Sequence, residues 1–446
     1  MYNIPNQLPY TSTYPTGLPA CSSEPDTISP PKDRPFNGFR VAKSVSAKAL
    51  VDDVRNQVQN YEMFMVRTRA RRAKDQIIFV RQIESIVCDL IHREITKPGA
   101  WTAITFSKAF LGQKDRYRPK VLSETLPAVI QHMATPEMEF IEIIKGVRNP
   151  FNPSLSRQTV IRAGKRLRDR IEEHKLTLDD LGLDQTQELI ILKDTKEDLW
   201  DNGQWLQYQD TNQTIRYRQE LTHINDWLEQ AELEFIPYGV ISTKFDTSDR
   251  RLRRYFNDNS FEHGGRLFGG FWQNMKKDMR KDIVIDGMDT VTLDYGQMIA
   301  RVLYGHAGKP FEFQDAYSVP GLEGYRSGVK KVFSAMLYSD SPLKRMPQGC
   351  RELFPQKFTY ADVAEKIIQH HHQVVKLLHA GIGPALTYQE SNILISVLTK
   401  LIDLGITALP LHDAVIVADE HEEQTRSIML SVFREVVGIE AVVSSE

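Results

Sequence analysis

Residues 409–417 read LPLHDAVIV, an apolar run broken at its centre by His412 and Asp413. Runs this short and apolar, rich in β-branched residues, suit buried strands, here one on each side of the break. A carboxylate among Leu409, Leu411, Val415, Ile416 and Val417 costs several kcal/mol, on the order of a buried ion's penalty, unless something pairs with it. The chain must therefore fold so that Asp413 meets a partner. A second segment, TVTLDYGQ, has the same design, with Asp294 where an apolar β run ends. Each aspartate alone is equally a turn or bulge residue. Two of them on adjacent strands would repel and raise one another's pKa. Divalent cations bridging the pair would remove that conflict and could activate an attacking oxygen and stabilise a leaving one. Magnesium, with manganese as the substitute, suits an all-oxygen site of few carboxylates completed by substrate phosphates.

The third element is YRSGVKKVFSAMLYS. Lys330 and Tyr338 follow Arg326 by four and twelve residues, so on a helix the three share roughly one face. Two cations with an aromatic ring beyond them suit a nucleoside triphosphate, the cations on phosphates and the ring on sugar or base.

Composition limits the setting. The chain has 446 residues, long enough for two or three domains, with 41% hydrophobic and 26% charged residues as in soluble globular proteins. The formal net charge of -2 means that any nucleic-acid surface is a local patch. Cys21, Cys88 and Cys350 show no metal-ligand or disulfide spacing, which implies a reducing interior. No apolar run reaches the ~20 residues that span a bilayer, and no signal-peptide core is present. A cytoplasmic, nucleoid-associated protein without a membrane partner is expected.

Along the chain, residues 1–43 are Pro-, Ser- and Thr-rich and read as a disordered tail, or one ordered on a protein partner. Residues 44–185 are mainly helical. They run through two long amphipathic helices separated by RTRARRAK, then helices at AITFSKAFLG and SETLPAVIQHMA, then a hairpin of EFIEIIKG and RQTVIRAG. That order is the order of a winged helix-turn-helix, a nucleic-acid-binding module. Arg116, Arg118 and Lys120 before its second helix and Arg148, Arg157, Arg162, Lys165, Arg166 and Arg168 near its wing are candidate phosphate contacts. KLTLDDLGLDQTQ reads as a linker, and residues 186–446 as a mixed α and β domain. The HHH at His370–His372 falls on an expected long helix, where successive residues face different ways, and reads as a solvated face.

Four segments in order, GGRLFGGFWQN, LDYGQMIARVL, RSGVKKVFSAMLY and LHDAVIVAD, resemble the palm and fingers motifs of family A DNA polymerases over about residues 255–430. The first is similar at Gly265, Arg266, Leu267, Gln273 and Asn274. Motif A is similar at Asp294, Tyr295, Gln297 and Arg301, motif B at Arg326, Lys330 and Tyr338, and motif C at His412 and Asp413. The resemblance implies an α+β fold, an antiparallel palm sheet with helices on one face and small helical fingers. It implies template-dependent nucleotidyl transfer onto a primer, with two Mg²⁺ ions held by Asp294, Asp413 and the Tyr295 carbonyl. Nucleoside triphosphates would be bound by Arg326, Lys330 and Tyr338, with Tyr295 and Ile299 beside them. DNA as primer–template, with RNA as the alternative, would be held by Arg266, Gln273, Asn274, Gln389, His412 and Arg301.

The chain also departs from that pattern. Ile299 stands where the family has a glutamate that excludes the ribose 2′-OH, Ser334 where it has an aromatic, Ser339 for a glycine, and Ala414 for the acid after motif C. Relaxed sugar selectivity is therefore expected. The short spacing between motifs predicts small fingers and low processivity. Three other readings stand beside this one: a primase or single-subunit RNA polymerase relative, a DNA-binding replication or transcription factor with an inert palm, and a metal-dependent phosphohydrolase. The last places its HD on a helix, whereas here HD interrupts strands.

Overall fold

A computed structural model describes residues 33–65, 67–147, 151–152, 156–195, 201, 203–237 and 246–445. The chain divides into two compact units, residues 1–187 and 188–446, each with a core of its own. Together they make an α+β protein of several small sheets.

The first unit begins with β1 (Arg34–Pro35) and β2 (Arg40–Ala42), followed by α1 (Val45–Met65) and α2 (Ala73–Thr96). Leu50, Val54 and Val58 form the buried stripe of α1 and Phe79, Ile83, Ile86 and Leu90 that of α2, at the spacing that makes a helix amphipathic. There follow β3 (Thr102–Ile104), α3 (Lys108–Leu111), α4 (Leu126–Met133), the hairpin β4 (Ile141–Ile144) and β5 (Thr159–Ala163), α5 (Lys165–Glu173) and β6 (Leu181–Leu183). One sheet has the order β1-β3-β5-β4, so the strand between α2 and α3 closes onto the hairpin.

Three expectations change here. Residues 33–43, read as tail, belong to the unit: Asp89, fully buried on α2, pairs with Arg34 at 2.7 Å and Arg40 at 3.7 Å. Residues 1–32, the rest of that stretch, lie outside the described residues. The segment read as a linker is structured, because β6 pairs with β2 and Leu176 and Leu181 are buried in the core. AITFSKAFLG, read as a helix, starts as β3 and keeps only the short α3, since pairing with β5 outweighs its helical spacing.

The second unit contains β7 (Ile190–Leu192), α6 (Asn212–Gln230), β8 (Leu233–Phe235), β9 (Arg253–Phe256), β10 (Gly264–Phe268), α7 (Lys277–Arg280) and β11 (Ile283–Ile285). It continues with β12 (Thr290–Tyr295), α8 (Met298–His306), α9 (Arg326–Tyr338), α10 (Tyr360–His370), α11 (Gly383–Asp403), β13 (Ala408–Leu411), β14 (Ala414–Ala418), α12 (Glu422–Val437) and β15 (Val443–Ser445). Its main sheet is wholly antiparallel, in the order β13-β14-β12-β15. All five residues of β14 are buried, as befits a central strand with α11 and α12 packed nearby.

The long helix expected over 360–380 breaks after His370. His371 is fully buried there, not solvated: one ring nitrogen lies 2.9 Å from the Ala316 carbonyl and the other 3.1 Å from the Tyr304 hydroxyl. Burial, with His370 adding to it, pushes its pKa down to about 4, so the ring is neutral near pH 7. Among the described residues no helix is long and apolar enough to cross a membrane.

Candidate functional site

The break in LPLHDAVIV is a two-residue hairpin turn. Leu411 pairs with Ala414, leaving His412 and Asp413 as the loop, with His412 in the left-handed region at φ 60°. β14 then runs antiparallel to β12 so that Asp294 faces Ala414, and the Tyr295 amide donates to the Asp413 carbonyl at 3.3 Å. With opposed Cα atoms ~5 Å apart and one further peptide, the two aspartate Cα atoms lie within roughly 9 Å. Register alone thus brings together two acids 119 positions apart (413 minus 294).

The turn is fastened from the GGRLFGGFWQN segment. Trp272, fully buried, donates from Nε1 to the Pro410 carbonyl at 2.8 Å, and Gln273 Nε2 donates to the same oxygen at 3.1 Å. Gln273 also donates to Leu267 and accepts from the amides of Gly269 and Gly270. Expected on nucleic acid, Gln273 is therefore spent on its own backbone. Asn274 beside it is exposed. The Phe268 ring stands edge-on to His412, 5.5 Å between centroids. Burial and the nearby Arg266 lower the pKa of His412, with Asp413 opposing.

Arg266 points from β10 to α11, where its Nε donates to Glu390 Oε1 at 2.7 Å. Burial opposes the Arg266 charge, but Glu390 outweighs it, and Tyr338 and Asp413 add to the same side, so its pKa lies above the ordinary arginine value. Glu390 is 2% exposed. Burial pushes its pKa up against the pull of Arg266, and Asp413 pushes the same way. Arg266, Glu390, Tyr338 and Asp413 thus share one electrostatic neighbourhood. Gln389, half-buried next to Glu390, has an Oε1 that meets no donor among the described residues.

Helix α9 carries the cations. Arg326 and Lys330 are exposed, and both lie over the ring of Tyr317, at 5.5 and 5.9 Å from its centroid. Arg326 is already engaged by Asp315, Nε to Oδ2 2.5 Å and Nη2 to Oδ1 3.3 Å. Tyr317 is 1% exposed, and its hydroxyl meets no partner among the described residues. Burial raises its pKa, with Arg326 opposing and Asp315 and Asp413 adding, which ties this ring to the hairpin turn. Gln297 and His371 pin the loop that bears Tyr317. Gln297 accepts from the Ala316 amide at 2.6 Å and donates to Gln314 at 3.0 Å, and His371 bonds the Ala316 carbonyl. At the far end of α9, Tyr338 is half exposed and its hydroxyl lies 2.5 Å from Thr387 on α11.

Two other candidates turn inward. Tyr295 is 3% exposed, its hydroxyl donating to Met429 at 2.6 Å and its ring against Phe433, so its side chain offers a nucleotide no surface. Arg301, expected on nucleic acid, is 7% exposed and donates to the carbonyls of Gly296 and Glu440 under the Phe311 ring. Charge cannot distinguish an arginine that reads a phosphate from one that ties a helix to a neighbouring loop. Ile299, in the first turn of α8, is half-buried against the core. Among the described residues no three His, Cys, Asp or Glu side chains converge as ligands.

Asp315, Tyr317 and Glu390 are the residues the sequence reading missed. Asp315 and Tyr317 fall in an aperiodic loop. Glu390 lies within α11, where a single glutamate among helical residues gives no local signal of its partner.

In the first unit, most of the cations expected at the wing are internally paired. Arg162 and Arg168 share Glu142, and Arg166 donates to the Glu137 carbonyl. Arg157 and Lys120 are exposed, and Arg148 lies outside the described residues.

No family model and no curated protein sequence matches this chain. Among solved structures, it is similar to the POL domain of Pol1 from M. smegmatis in complex with DNA primer-template and dNTP. The TM-score is 0.30 and the identity 10%, over 92% of this chain and 67% of that one. That resemblance to a polymerase domain is distant.

Proposed function

We propose that the chain is a template-dependent nucleotidyltransferase of the family A polymerase type, extending a nucleic-acid primer. The observation that carries this reading is the pairing of β12 with β14, which sets Asp413 in a tight turn beside Asp294. The cations of α9 lie over the ring of Tyr317, whose ionisation the charge of Asp413 opposes. Two carboxylates on adjacent strands, with no third side-chain ligand among the described residues, fit magnesium or manganese whose remaining positions are filled by phosphate oxygens. Asp294 and Asp413, with the Tyr295 carbonyl, would hold two such ions, and when bound these stabilise attacking and leaving oxygens.

The chain's own groups divide the remaining work. Lys330 and Arg326 neutralise the triphosphate, Arg326 after exchanging Asp315 for phosphate. Tyr338 packs beside the incoming base. Arg266, Asn274, Gln389 and His412 face the primer end, which places its 3′-hydroxyl in line with the α-phosphorus. Ile299 offers no polar group to a ribose 2′-OH, which supports use of both sugar classes.

In the first unit, the order α2, β3, α3, α4, β4–β5, with β3 closing the sheet, supports a winged helix-turn-helix that binds nucleic acid. With most wing arginines paired internally, its phosphate contacts reduce to a few exposed cations such as Lys120 and Arg157.

The deciding experiment is primer extension with dNTP and NTP pools. Wild-type protein extends a primed template, and Asp294→Ala or Asp413→Ala lowers the rate by at least ~100-fold with the fold intact by circular dichroism. Absence of extension with either pool would leave a DNA-binding factor with an inert palm, the reading that Ala414, where the family has an acid, supports.

A further inference from the structure

Arg266 and Glu390 form a pair whose two ends differ sharply in environment. Glu390 is 2% exposed, while the arginine side chain is 36% exposed. The bond between them uses Nε, the inner nitrogen of the guanidinium. Of the five N–H groups on an arginine, one is therefore committed inward and four, on the two terminal nitrogens, remain. The backbones on both sides are locked. Ser391, next to Glu390, donates to the Gly265 carbonyl, and fully buried Arg254 donates to the same oxygen at 2.9 Å. Gly265 itself sits at φ +83°, and an added Cβ would press on the Arg254 guanidinium at 3.2 Å. Strand β10 and helix α11 thus cannot easily shift against one another at this point. A carboxylate so deeply buried with one cationic partner is a costly arrangement if its only task is to hold β10 and α11 together, because an apolar pair would serve as well.

We infer that Glu390 is a positioning residue for Arg266, gripping it by Nε so that its two terminal nitrogens form a fixed fork for acceptors at the end of a bound duplex. This rests on the proposed function and adds a residue to it. Without the grip the arginine would lose rotamers on binding, and its fork would meet the acceptors only part of the time.

The test is a double-mutant cycle on the full chain, read by fluorescence anisotropy with a recessed primer–template and with the same template as a single strand. Arg266→Ala and Glu390→Ala each weaken primer–template binding by about tenfold or more and leave single-strand binding unchanged. The double variant binds no worse than Arg266→Ala alone. Glu390→Gln, which keeps an acceptor for Nε, stays within about threefold of wild type. Glu390→Asp, one methylene short of Nε, falls between, and it stands in for the alanine variant should that fail to fold. Losses that multiply in the double variant, or wild-type binding by Glu390→Ala and Glu390→Asp, would overturn the inference while leaving the polymerase reading intact. If wild type shows no preference for the primer end and Arg266→Ala changes nothing, both fall together.

Discussion

At Arg326 the guanidinium already holds a carboxylate, so a triphosphate must displace Asp315 before it can use that cation. The pair is more than half exposed on the arginine side, which limits its worth to about 1 kcal/mol. Asp315→Asn should therefore lower the KM for nucleotide by up to about fivefold, and an unchanged or higher KM in steady-state extension would remove Arg326 from the triphosphate site. Ile299→Glu tests the sugar gate. It should move the ratio of kcat/KM for dNTP over NTP toward dNTP, and an unchanged ratio would sink the steric argument. These single residues were unevenly legible. Asp294, Asp413, Arg326 and Lys330 could be read from spacing because an acid in an apolar strand, or a cation pair one turn apart, is a local signal. Gln273 and Arg301 entered only through the resemblance to the polymerase motifs, and the fold turns both inward.

Helix α11 organises the site at the level of elements. It holds β10 through Glu390 and Ser391, and the end of α9 through Thr387. Its first residue, Gly383, lies so close to α9 that a Cβ there would stand 2.6 Å from the Tyr338 ring. Gly383→Ala should displace Tyr338 and raise nucleotide KM, with little change in duplex affinity. Equal KM values for variant and wild type would show that the ring need not sit where it does. The first unit has a comparable knot. Glu62, 2% exposed on α1, accepts from Arg71 beyond the helix end and bonds His132 of α4 at 2.8 Å. Burial opposes its ionisation, but the bonds from His132 and Arg71 outweigh it, so its pKa lies below the usual glutamate value. A lowered carboxylate pKa contributes stability that is present above the unfolded value, about 4.3, and is lost as pH falls through the lower native one. Glu62→Gln should flatten that acid-side loss and cost about 3 kcal/mol near pH 7, read by denaturant unfolding.

At the scale of the molecule, two separate cores imply two separately stabilised units. Glu62→Gln should then speed amide exchange across residues 33–187 and leave residues 188–445 unchanged, and a matching loss of protection in the second unit would show that the cores are coupled. Read without a structure, the sequence determined the mixed α and β texture of the second unit, the helices with a clear apolar stripe, and the pair of acids ending apolar strands. Periodicity and the cost of burying charge are properties of short segments, so they survive without knowledge of the fold. Only the tertiary structure decided that residues 33–43 belong to the first unit, that residues 175–187 are structured, that β3 is a strand, and that Glu390 and Asp315 already engage the two arginines nearest the site. Most of those outcomes depend on a partner dozens of residues away, and even Asp315 lies eleven positions from Arg326, across a loop; a hydrogen bond or ion pair made over such a separation leaves no trace in local pattern. The turn at His412 and Asp413 belongs to both accounts: the break in LPLHDAVIV announced it, and the pairing of β12 with β14 brought Asp294 beside it.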